Sequence, residues 1–306
     1  MVAALRTTSA VSRSAPRTAP PRAAAAAPRT PTRRHLLAAA LATAPSLLQP
    51  EPALAASLKS RLDSHDAAQL SKPYALSIPT ELAYPPWLEG DWTATSTFAG
   101  YELPAKDKIE RAELFAEPNV PGFAKTSIAF FPDVGRENVK FRLRWTRDES
   151  GAVREDRAAN YAAAMRGGLG YDALECVEYK TDAKNPTGFG SNTGNPNRIK
   201  LVFAPGLTQN AERIELFLNT RESEAPSPDL FYTAEEMRQV TFSRSGSVNG
   251  EYAHFASYRR LPSGNVDMTV LTAVYSDPLQ LERFVVKVGP NRPLILFSHQ
   301  LALTRA

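Results

Sequence analysis

Cysteine is almost missing from this chain: Cys176 stands alone among 306 residues. An internal disulfide and a cysteine zinc cluster are thereby excluded. Histidine is scarce as well, with four in all, and neither H-E-x-x-H nor G-x-S-x-G occurs. The glycines from Gly188 to Gly194 lack phosphate-loop spacing, no Lys follows them, and a strand-like run comes next where a helix is required. No apolar run approaches the roughly 20 residues needed to cross a bilayer. The best candidate, Leu36 to Leu48, spans 13 residues and is broken by Pro45. Acidic residues are absent from Met1 through Pro50, and Glu51 is the first carboxylate.

What fills the acid-free stretch is arginine, seven between Met1 and His35, set among Ser, Thr, Ala and Pro. That is the composition of an organelle transit peptide. Arg33-Arg34 then precedes the apolar run from His35 to Ala42, and Ala53-Leu54-Ala55 fits an A-x-A cleavage site. The pattern resembles the bipartite presequence of chloroplast proteins sent across the thylakoid membrane by the twin-arginine route. It implies a transit peptide over 1–35, a lumen signal over 36–55, and a mature chain from Ala56 in the thylakoid lumen. Without the leader, the 36 basic and 32 acidic residues become 29 and 31. The basic pI thus belongs to the address and makes no case for nucleic-acid binding.

Residues 56–83 read as a polar N-terminal arm, and a β-barrel domain is expected over 84–306. Most later segments alternate apolar and polar residues, the mark of half-buried antiparallel strands. Asn138 to Thr146 is the clearest, with Val139, Phe141, Leu143 and Trp145 on one face and Lys140, Arg142 and Arg144 on the other. Similar runs cover Ile199–Phe203, Ile214–Leu218, Gln239–Ser243, Tyr252–Leu261, Val266–Tyr275 and Leu294–Thr304. Pro262 to Asn265 reads as a hairpin loop. A helix is expected over Val153–Arg166, stopped by Gly167-Gly168, and a capping box at Thr233 to Glu236 reads as a short helical turn. Cys176 is expected on a buried strand face. These elements indicate an all-β fold with minor α content: a single antiparallel lipocalin-like β-barrel with one or two short helices.

Gly90-Asp91-Trp92 opens the first strand and Arg305 ends the last. This resembles the Gly-x-Trp start of lipocalins and calycins, and implies that Trp92 closes one barrel end with Arg305 across its ring and Gly90 letting the chain turn in. From Tyr84 to Arg305 the chain also resembles a family of uncharacterised proteins of cyanobacteria and chloroplasts. That resemblance is carried by Pro86 to Phe98, Asp156-Arg157-Ala158-Ala159-Asn160, Asn195-Pro196-Asn197-Arg198, Ala273-Val274-Tyr275 and the closing strand. The glycine-rich stretch between Pro186 and Asn195 departs from it. The resemblance implies a compartment and no reaction.

Candidate ligand-binding residues are Arg157, Asn160 and Tyr161, grouped on the expected helix, and His299, on the apolar face of the last strand. His299 reads as a core histidine or as a pH sensor titrating near ~6.5. No catalytic residue, metal site or cofactor emerges. The expected function is non-catalytic, auxiliary to a thylakoid-membrane photosynthetic complex as an assembly or docking factor. Two alternatives stand beside it: a carrier of a small apolar ligand (lipid, pigment or quinone) and a barrel enzyme of unknown reaction.

Overall fold

The structure, a computed structural model, describes residues 57–64, 66–67, 70–73, 79–123, 126–132, 135–179 and 195–306. The leader, His35, His65 and the glycine-rich stretch over 186–194 lie outside the described residues. Among the described residues, no helix is long and apolar enough to cross a membrane.

Ten strands form one antiparallel sheet. In chain order they are β1 (Gly90–Glu102), β2 (Val139–Arg147), β3 (Val153–Glu155), β4 (Leu174–Glu178), β5 (Arg198–Phe203), β6 (Ala211–Ser227), β7 (Leu230–Ser243), β8 (Gly246–Arg260), β9 (Val266–Tyr275) and β10 (Ile295–Arg305). Across the sheet the order is β3-β2-β1-β10-β9-β8-β7-β6-β5-β4. Four short helices accompany them: α1 (Leu58–Asp63), α2 (Arg111–Phe115), α3 (Arg157–Leu169) and α4 (Glu282–Val288).

The alternation in sequence becomes alternation in burial. On β2, Val139, Phe141, Leu143 and Trp145 are buried, and Lys140, Arg142 and Arg144 are exposed. The sheet curls with its apolar faces inward, leaving β3 and β4 as edges not bonded to each other. Helix α3 packs against both β2 and β4. A helix is about 10 Å across, so the curl brings the two sides of the sheet to roughly one helix apart, and α3 fills the seam.

The helix differs from its expected span for physical reasons. Val153–Glu155 pairs with β2 as a strand, and Asp156 caps α3 by accepting from the Ala159 amide. Gly167 and Gly168 do not stop it. A Cβ at Gly167 would meet the Lys140 carbonyl at 3.0 Å, so glycine there serves a close helix–strand approach. The stop is Gly170, at φ 83°. The capping box at Thr233 to Glu236 is overridden: these residues lie within β7, bonded to both β6 and β8. Helices α2 and α4, of 5 and 7 residues, are too short to leave a periodic pattern. Cys176 is exposed, because a register shift between Leu174 and Cys176 breaks the alternation of β4.

Outside the barrel, Leu58, Ala67 and Leu70 of the arm join Tyr232, Phe255, Ala273, Tyr275 and Leu296 in a second apolar cluster. The arm therefore covers part of the outer face of β7–β10. Tyr275 donates to the Leu70 carbonyl at 3.0 Å and anchors it.

Candidate functional site

Three clusters concentrate the chemistry. The first closes one barrel end. Trp92 is fully buried and donates from Nε1 to the Leu88 carbonyl at 2.8 Å. The Arg305 guanidinium lies 4.0 Å from its ring centre and donates to the carbonyls of Glu89 and Trp87. Gly90, at φ +114°, sits so close that a Cβ would fall 2.6 Å from Arg305 Nη1. Gly90→Ala combines this clash with a backbone region costly for L-residues. We expect it to lower the unfolding free energy by about 1–3 kcal/mol in urea titrations.

The second cluster lies inside, beside the seam. Arg157 begins α3 and is only 2% exposed. Its Nη2 donates to Glu235 Oε1 on β7 at 2.5 Å and lies 3.4 Å from Glu155 Oε2 on β3. Arg221 of β6 approaches the same Glu235 oxygen at 3.3 Å and donates to the Pro196 carbonyl at 2.5 Å. Asn160 donates to Glu155 at 3.2 Å, and Tyr84 does so at 3.4 Å. Two guanidinium groups thus face two carboxylates in an apolar interior, a balanced set that desolvation makes sensitive to any missing member.

The two carboxylates diverge. Burial raises Glu155, only partly offset by Arg157, and the Glu235 charge pushes it higher. Burial acts on Glu235 too, but Arg157 and Arg221 outweigh it and hold that carboxyl below its ordinary range. Burial likewise drives up the Tyr84, Tyr161 and Tyr258 phenols. Of the two carboxyl groups, Glu155 is the one whose hold on a proton burial strengthens on balance.

The third cluster is aromatic. His254 faces the same interior, its Nδ1 2.9 Å from Thr272 Oγ1. Burial lowers it to about 3, with Glu235 pulling the other way. His299 is fully buried, stacked on Phe131 at 4.5 Å and edge-on to Phe98 at 5.3 Å. Burial lowers it to about 4, so in the folded protein it stays neutral where an ordinary imidazole titrates.

The expected ligand residues therefore separate. Arg157 and Tyr161 both line an interior cavity with Glu155, Glu235, His254 and Tyr258. Asn160 does not; its side chain accepts from the Arg144 amide at 2.7 Å and donates to the Arg144 carbonyl at 3.1 Å, tying α3 to β2. His299 is absent from the cavity lining. Sequence reasoning missed Glu155, Arg221 and Glu235. The available signal was two inward-facing carboxylates on strands, hidden because Glu155 and Glu235 both fall in segments expected to be helical.

The cavity measures about 40 Å³. That is room for about one to three waters, against the roughly 300–1,000 Å³ of small-molecule sites. Trp145, Phe130, Phe131 and Tyr258 occupy much of the surrounding space. A larger space of about 600 Å³ lies outside the barrel, between the arm and the outer sheet face. Among the described residues, no group of three His, Cys, Asp or Glu side chains is placed to hold a metal.

Fold and site together define a curled antiparallel barrel-like protein with a filled interior and a buried ionic seam. The chain belongs to the family described as Domain of unknown function (DUF6816), whose pattern matches residues 77–306. No curated protein and no solved structure matches it. Two patches prominent in the sequence meet at the seam. Asp156–Asn160 supplies Arg157 and Asn160, while Asn195–Arg198 supplies the Pro196 carbonyl and Asn197, which donates to the Pro79 carbonyl at 3.0 Å.

Proposed function

We propose that the mature chain is a non-catalytic protein of the chloroplast thylakoid lumen, auxiliary to photosynthetic complexes as a docking or assembly factor. The observation that carries this reading is where the exposed large hydrophobic residues lie. They are Tyr101, Phe115, Phe123, Tyr171, Leu207, Val248, Leu279 and Val286. By strand register all eight belong to one end of the barrel, where β1, β5, β7 and β9 finish and β4, β6, β8 and β10 begin. The end closed by Trp92 and Arg305 has none among the described residues.

The Phe115 and Phe123 rings lie 4.4 Å apart in a tilted contact, with Tyr101 5.8 Å from Phe115, so part of this set is one continuous patch. Leu279 and Val286 project furthest, at 79% and 80% exposure. Concentrated exposed apolar surface marks an interaction site. An interior packed with its own side chains makes the barrel a scaffold for that surface. The leader composition supports the compartment.

One observation favours a second reading, the apolar carrier. The 600 Å³ space under the arm is of ligand size and touches Leu62, Leu70, Tyr232, Phe255, Leu271 and Leu296. Native mass spectrometry of the chain from Ala56 onward, purified from thylakoid lumen, separates the two. We expect an unliganded mass and co-migration with a photosynthetic complex, abolished by Phe115→Asp with Leu279→Asp. A stoichiometric lipid, carotenoid or quinone would replace docking with carriage.

A further inference from the structure

We propose that the outer face of β2, β1, β10 and β9 is a second contact surface, complementary to an acidic segment of a protein partner. The proposal rests on the docking reading and names the chemistry of what docks.

A curled sheet has two faces to account for. The inner face is packed, and the arm covers part of the outer face of β7–β10. Toward β2 the outer face has no cover among the described residues. Its composition follows from register. Arg142 stands beside Thr93, and Thr93 beside Thr304. In the next row Lys140 is followed by Thr95, Ala302 and Asp267. Thr97 extends the face by one more position, and its neighbours Gln300 and Thr269 mark its limit, because they line the space under the arm. With strands about 4.8 Å apart, these rows form an area of mostly short side chains bordered on one side by cations.

The charges on this face are unevenly committed. Arg144 is held by Asp91 at 2.7 Å and lies 3.7 Å from Asp156. Asp267 is taken by Arg259 at 3.3 Å. Lys140 and Arg142 are exposed, and neither has an ion-pair partner among the described residues. Two positions apart on one strand, they stand about 7 Å from each other. At the apolar end, by contrast, Lys287, Arg283 and Arg292 are matched by Glu113, Glu117 and Asp107. The mature chain carries 29 basic and 31 acidic residues, so this positive face is a local feature.

The short side chains also matter. Threonine and alanine lose little rotamer freedom when covered, and each threonine hydroxyl can donate to a carboxylate. A carboxylate-bearing strand or loop laid across the rows would meet Lys140 and Arg142 at the border and hydroxyls beyond. Two free cations fall short of the roughly 6–10 phosphate contacts of a nucleic-acid interface. The rows named carry no large apolar side chain to enter a bilayer.

The test is fluorescence anisotropy of a labelled Glu-rich peptide titrated with the mature protein, at low and physiological ionic strength. We expect binding that weakens as salt rises, and no binding of a Lys-rich peptide of equal length. Lys140→Ala with Arg142→Ala should weaken it about tenfold, and Lys140→Glu with Arg142→Glu should abolish it. Both residues are exposed, so an unchanged circular dichroism spectrum and Tm would verify folding. Thr95→Glu, acidic in the middle of the face, should also abolish binding. Phe115→Asp with Leu279→Asp should leave it intact, which separates this proposal from the docking reading. Equal affinity in the double-alanine variant would overturn it. So would binding to anionic phosphatidylglycerol vesicles in preference to the peptide.

Discussion

Arg157→Leu is expected to lower the free energy of unfolding by about 3–5 kcal/mol in urea titrations, the range for breaking a buried ion pair on one side. The guanidinium is the hub of the seam, touching Glu235 at 2.5 Å and Glu155 at 3.4 Å. Leucine fills part of the volume but leaves both carboxylates short of a counter-charge. Glu235 keeps Arg221 at 3.3 Å; Glu155 keeps the Asn160 and Tyr84 hydrogen bonds and only the weaker pull of the Arg221 charge. The damage should therefore fall on Glu155, whose pKa burial already raises. A signature separates this from a simple packing loss. With a still higher Glu155 pKa, Arg157→Leu should recover relative to wild type as pH falls and Glu155 takes up its proton. Adding Glu155→Gln should restore much of the loss at neutral pH. A loss below about 1 kcal/mol, or one independent of pH, would mean the cluster is not held through Arg157.

The fold was legible where one face of a strand meets the core. β2 and β9 could be read nearly to the residue because their alternation is unbroken, and β10 because its inward set of Ile295, Phe297, His299, Leu301 and Leu303 is continuous. Legibility failed where local pattern and long-range pairing disagree. Thr233-Ala234-Glu235-Glu236 has the chemistry of a helix start, yet both neighbouring strands pair with it. That pairing is invisible without knowing that β6 and β8 flank it. Cys176 failed for a related reason, since one bulge exchanges inward and outward positions.

The interior site was half legible. Arg157 and Tyr161 share a helix face, and that face turns inward. Glu155, Arg221 and Glu235 come from three different strands, and no sequence spacing relates them. Asn160 shows the limit of a cluster argument: one helical position away from Tyr161, it points to β2 backbone and serves attachment.

Acid is expected to destabilise the protein well above the pH at which its carboxylates titrate. His254 and His299 have folded-state values lowered to about 3 and about 4, against an unfolded value of about 6.5. Between these limits the unfolded chain binds protons that the folded chain refuses, so stability rises with pH there. It is fully present above about pH 6.5 and falls as pH drops toward about 4 for His299 and toward about 3 for His254. At pH 5 each histidine accounts for about 2 kcal/mol, or about 4 kcal/mol together. Glu155 works in the opposite sense. Its raised value means the folded state takes up a proton first, returning some stability as pH falls from that value to the ordinary carboxylate range. The net expectation is a loss of about 2–4 kcal/mol between pH 7.5 and pH 5, read from urea midpoints at constant m-value. His299→Phe should remove about half the slope, because an aromatic ring against Phe131 and Phe98 keeps the packing and discards the titration. A flat profile, or an unchanged slope in His299→Phe, would refute the assignment. In a compartment that acidifies, these histidines would therefore register pH through the stability of the barrel, with folded His299 neutral throughout.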